Sequence, residues 1–87
     1  MKVIDIKNVI RKDIHIYYRR LYNGLAVVDL LNKAVEFTLD FQIEHKPTGL
    51  SEISILSMGT VDYPVVPLQK ELKQFIGVLD SQGKLPI

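Results

Sequence analysis

The feature that most narrows what this chain can fold into is a strict alternation over Lys33 to Glu44. Val35, Phe37, Leu39, Phe41 and Ile43 take every second position between Glu36, Thr38, Asp40, Gln42 and Glu44. Successive side chains of a strand point to opposite faces, so this spacing makes one apolar face and one polar face. A helix turning about 100° per residue would throw Phe37 and Leu39 ~160° apart and leave no apolar stripe. The segment is therefore a half-buried strand. His45-Lys46-Pro47-Thr48-Gly49 combines a φ-locked proline with a permissive glycine, and Leu50 to Met58 resumes an extended pattern, which predicts a hairpin. Glu44 opposite Leu50 would pair Phe41 with Ile53, Leu39 with Ile55, Gln42 with Glu52 and Asp40 with Ser54, like with like on each face.

Upstream, Asn23-Gly24 separates Asp13 to Tyr22 from Leu25 to Leu31, and that dipeptide favours the positive φ of a tight type I′ turn. The spacing predicts a second hairpin, with Tyr22, Arg20, Tyr18 and Ile16 opposite Leu25, Val27, Asp29 and Leu31 on one face. Leu21, Arg19 and Tyr17 would lie opposite Ala26, Val28 and Leu30 on the other. Both faces are largely apolar, so both need cover. One helix covers one of them, and a second copy of the chain is expected on the other, with Leu21, Ala26, Val28 and Leu30 as the contacts. Val3 to Ile10 alternates more weakly and reads as a further strand.

After Gly59, Val65 to Gln82 carries Val65, Leu68, Leu72, Phe75, Ile76 and Leu79 at helical spacing. Pro64 and Pro67 suit a first turn, whose amides lack intrahelical partners, and Gly83 followed by Pro86 reads as a stop. The expectation is one α+β domain over residues 1–87, an antiparallel meander sheet of four to five strands with one C-terminal amphipathic helix packed on one face. With 47% hydrophobic and 24% charged residues the chain has enough apolar material for a core. The longest apolar run, Leu25 to Val28, is far short of the roughly 20 residues of a membrane span. Lys2, Asp5 and Lys7 interrupt any signal-peptide core. A cytoplasmic protein without membrane contact is expected.

The chemistry that would identify an enzyme is missing. There is no cysteine, His15 and His45 are the only histidines, and neither stands in a metal-binding spacing. The serines lie in no nucleophile elbow, and the five glycines are scattered singly rather than gathered into a phosphate loop. Glu36, Asp40 and Glu44 share the polar side of their strand at about 13 Å intervals, too far apart for a carboxylate dyad. These patterns predict no catalytic residues, no cofactor and no metal.

Charge is unevenly placed although the net charge is only +1. Residues 1–24 hold six cations against two carboxylates, and residues 25–66 hold two against six. Neighbouring strands can therefore neutralise one another. One stretch, residues 13–22, interleaves aromatic and cationic side chains, and His15, Tyr17, Arg19, Arg20 and Tyr22 are its candidate partner contacts. Tyrosine and arginine are enriched in protein interfaces, and the same mixture suits single-stranded nucleic acid, whose bases stack on rings and whose phosphates meet guanidinium groups. In order of elements the chain resembles the whirly and positive-cofactor families of single-stranded-DNA-binding proteins. That resemblance implies pairing through helices and DNA held along curved strands. The acidic row and near-neutral net charge depart from such a surface. The expected function is a small non-catalytic, self-associating module, a dimer whose contact is a protein partner, with single-stranded nucleic acid as the alternative.

Overall fold

A computed structural model of the chain describes residues 2–12, 18–30, 32–61 and 63–86. Four antiparallel strands, β1 (Lys2–Lys12), β2 (Arg19–Leu30), β3 (Lys33–His45) and β4 (Ser51–Met58), form one open sheet in sequence order, followed by the helix α1 (Val65–Ser81). The expected α+β meander is therefore present, with four strands.

Asn23-Gly24 does not turn. Both residues lie within β2, where Asn23 pairs with Asp40 and Gly24 with Leu39. The reversal into β3 comes between Leu30 and Lys33, which pair with each other, and Asn32 there takes a left-handed φ of 65°. Tertiary pairing outweighs the local preference for two reasons. As one strand, β2 buries Tyr22, Gly24, Ala26, Val28 and Leu30 on a single face, which a turn at residue 23 would split. Gly24 also lets β1 come close: a Cβ there would stand 3.2 Å from Ile6 Cγ2 and 3.3 Å from the Lys7 carbonyl oxygen. β1 meets it with an irregularity between Lys7 and Ile10, where Asn8 has a φ of 54°.

The second predicted hairpin forms in a register two residues away from the expected one. Glu44 pairs with Glu52, Ile43 with Ile53, Gln42 with Ser54 and Phe41 with Ile55; a bulge then leads to Asp40↔Ser57 and Leu39↔Met58. A shift of two keeps every side chain on its predicted face. The loop closes through backbone bonds from Lys46 N to Leu50 O and from Gly49 N to Lys46 O, and a Lys46–Glu52 ion pair flanks it.

The inner face of the sheet and α1 share one core. Phe37, Leu39, Phe41 and Ile43 of β3 join Val3, Ile6, Tyr22, Ala26, Val28 and Leu30, and Leu68, Leu72 and Ile76 come down from the helix. Burying each of these large side chains contributes about 1.5–3 kcal/mol before conformational entropy is counted. Pro64 precedes the first turn, and α1 ends in a Schellman motif: Lys84 N donates to Leu79 O at 2.9 Å and Gly83 N to Asp80 O at 3.1 Å, with Gly83 at φ 69°. That turn sends the chain back toward the sheet and buries Leu85. No helix among the described residues is long and apolar enough to cross a membrane.

Candidate binding face

The basic-aromatic stretch does not form one surface. His15 and Tyr17 lie outside the described residues. Tyr22 points inward at 1% exposure, its ring stacked on Phe41 with centroids 5.1 Å apart. Its hydroxyl donates to the Pro86 carbonyl and accepts from Arg20 Nη1, both at 3.0 Å, while Arg20 Nη2 donates to Asp80 at 3.0 Å. Burial works against the Arg20 charge, but Asp80 and Tyr22 outweigh it and hold the guanidinium above its ordinary pKa. Arg20 and Tyr22 thus tie the returning C-terminal segment and α1 to β2. Arg19 points the other way, 3.3 Å from Glu44 and over the ring of the exposed Tyr18.

The expected oligomer contacts also divide. Ala26, Val28 and Leu30 belong to the chain's own core, at 0%, 0% and 8% exposure, and have almost no surface to offer a second copy. Their expected place in an outer layer depends on a turn at Asn23-Gly24, which would reverse the faces of residues 25–30. Leu21 alone lies on the outer side of the sheet, half-buried.

That outer side is the more informative surface. Strand register places three parallel columns on it. β1 contributes Lys2, Lys7, Ile10 and Lys12, with Asp5; β2 contributes Leu21, Asn23, Leu25, Val27 and Asp29; β3 contributes Glu36, Thr38, Asp40, Gln42 and Glu44. The face is basic on β1, apolar along the middle of β2 and acidic on β3. Leu25 and Val27 are half-buried and Ile10 is 64% exposed. Ion pairs cross the apolar column: Lys7 reaches Glu36, and Lys12 stands 3.4 Å from Asp40. Each spans two strand spacings, about 9.6 Å, and lays a lysine stem across β2. The basic and acidic blocks of the sequence therefore neutralise one another within the fold, as strand pairing allowed.

Asp40 sits at the centre of the acidic column. Asn23 Nδ2 donates to its Oδ1 at 2.7 Å, Ser57 donates to Oδ2 at 3.3 Å, and Lys12 is beside it. The Asn23 hydrogen bond, and then the Lys12 charge, hold its carboxyl below the usual aspartate range although burial acts in the opposite sense.

At the β3–β4 loop, Ser51 Oγ lies 3.2 Å from His45 Nδ1, beside a cleft lined by Tyr18, Glu44, His45, Lys46 and Pro47. No carboxylate hydrogen-bonds the other imidazole nitrogen among the described residues, and the pair brackets a turn. No group of three or more metal-binding side chains occurs among them either. Sequence reasoning missed the outer-face roles of Leu25, Val27, Lys7 and Lys12. Their parity was present in the sequence but was hidden by assigning a turn to Asn23-Gly24.

The chain belongs to the BB-0187 family, whose sequence profile matches residues 1–81. No curated protein and no solved structure matches it.

Proposed function

For this member of that family we propose a non-catalytic binding module that self-associates and makes its contact with protein, through the outer face of the sheet. The observation that carries this reading is the apolar column of Leu21, Leu25 and Val27, with Ile10 beside it. Among the described residues no second layer lies over it. Protein interfaces combine such an apolar centre with a rim of mixed charge.

A polyanion-binding surface needs cations that can exchange their counterions for phosphates. Here Lys7, Lys12, Arg19 and Arg20 each stand beside a carboxylate of the same chain, which supports protein over nucleic acid. The test pairs sedimentation over a micromolar-to-millimolar series with fluorescence anisotropy of a labelled single-stranded DNA. The expected result is a mass that rises with concentration in the wild type and stays monomeric in Leu25→Lys, with no saturable DNA binding. A wild type that remains monomeric throughout, or that binds the single strand saturably and with salt sensitivity, overturns the reading.

A further inference from the structure

We propose that the occupant of the outer face is a second copy of this chain, related by a two-fold axis parallel to β2. The proposal rests on the reading of that face as a binding surface and specifies how it is filled.

The argument is one of symmetry and charge. Two copies packed face to face about a two-fold axis can take either of two simple orientations. If the axis runs across the strands, β1 faces β1 and the lysine columns oppose each other. If it runs along the strands, β2 faces β2, while β1 of each copy faces β3 of the other. In that arrangement Leu21, Leu25 and Val27 meet their own counterparts, and residues at equal height along the sheet oppose one another. Lys7 pairs in register with Leu25, and Leu25 with Thr38, so Lys7 comes to lie over Thr38 of the second copy, between Glu36 and Asp40. Lys12, level with Leu21 and Gln42, comes to lie between Asp40 and Glu44. The basic column thus meets the acidic column twice, which is the self-complementarity that an isologous interface requires.

The existing intrachain pairs do not oppose this packing. Lys7 and Glu36 side chains are 45% and 49% exposed, and exposed pairs of this kind rearrange at little cost. Four strands at ~4.8 Å spacing and about nine residues of length at ~3.3 Å present on the order of 550 Å² per copy. The total is near the lower limit for a specific interface, so a dimer that dissociates at micromolar or higher concentration is expected.

Two sets of variants test the axis. The pair Lys7→Glu with Lys12→Glu makes both outer columns acidic, and Glu36→Lys with Asp40→Lys makes both basic. Each double variant alone should dimerise at least about ten-fold more weakly than wild type, and an equimolar mixture should form a heterodimer within about three-fold of wild-type affinity. The chain has no cysteine, so Leu21→Cys, Leu25→Cys and Val27→Cys can each be treated singly with a short bis-maleimide. All three should link to themselves under an axis along β2, whereas an axis across the strands would favour only the position nearest to it. These single changes keep the charge pairs and decide the question even where a charge-reversed variant fails to fold. A wild-type dimer with cysteine linking at one position only, or a mixture of folded variants without heterodimer, overturns the axis and leaves the binding face standing. A wild type monomeric at every concentration overturns both.

Discussion

Tyr22→Phe isolates the polar clamp that holds the returning C-terminal segment. The substitution keeps the ring, so the stack on Phe41 remains and no cavity opens. Only the hydroxyl goes, and with it the bond to the Pro86 carbonyl and the bond from Arg20, each 3.0 Å long. Arg20 Nε is already buried without a partner, so a second guanidinium donor would lose its acceptor in the same place. A neutral hydrogen bond is worth about 0.5–1.5 kcal/mol net and one to a charged group about 1.5–3 kcal/mol. Arg20 retains 18% exposure, and water can recover part of that loss. The expected cost is about 1.5–3 kcal/mol, a large share of the stability of a domain this size. It corresponds to a fall in Tm of roughly 6–24 °C. Urea denaturation should show a lower midpoint with an unchanged slope, because the surface exposed on unfolding is the same. Asp80→Asn, combined with Tyr22→Phe in a double-mutant cycle, should give a coupling of at least about 0.5 kcal/mol. A cost below about 0.5 kcal/mol for Tyr22→Phe, or strict additivity with Asp80→Asn, would refute the clamp.

Phe41→Ala removes a fully buried ring between sheet and helix and should cost about 3–5 kcal/mol; a loss under roughly 1 kcal/mol in chemical denaturation would put Phe41 outside the core. Gly24→Val drives a side chain against Ile6, Val9 and the Lys7 carbonyl and should cost about 1–3 kcal/mol, with faster amide exchange along β1. Unchanged exchange there would mean that β1 does not lie so close. A folded-state pKa held below the unfolded value stabilises fully above the unfolded value and less as the pH falls through the folded one, so Asp40 should contribute an acid-side loss of stability. Asn23→Ala should raise the Asp40 carboxyl titration followed by carbon NMR and shrink that loss, and an unmoved titration would show that Asn23 is not the cause.

The sequence alone determined the elements whose patterns agree with their surroundings. β3 alternates over its whole length, and a sheet buried on one side rewards that alternation at every position. The helix followed from Leu68, Leu72 and Ile76 at its spacing, with Pro64 and Gly83 at its two ends. Even the register error in the second hairpin left the faces intact, because face depends on parity and not on the particular partner. Only the tertiary structure decided what Asn23-Gly24 does. A dipeptide's turn preference is a local energy, whereas a twelve-residue strand between two neighbours gains paired backbone on both sides and one continuous buried face. That outcome moved Ala26, Val28 and Leu30 into the core and brought Leu25 and Val27 to the outer face. Tyr22 and Arg20 likewise read as surface contacts until Asp80 and Pro86, about sixty residues away in the chain, came within 3.0 Å. A contact over that distance leaves no periodic trace in the sequence, since it depends on how the helix and the segment after it return across the sheet.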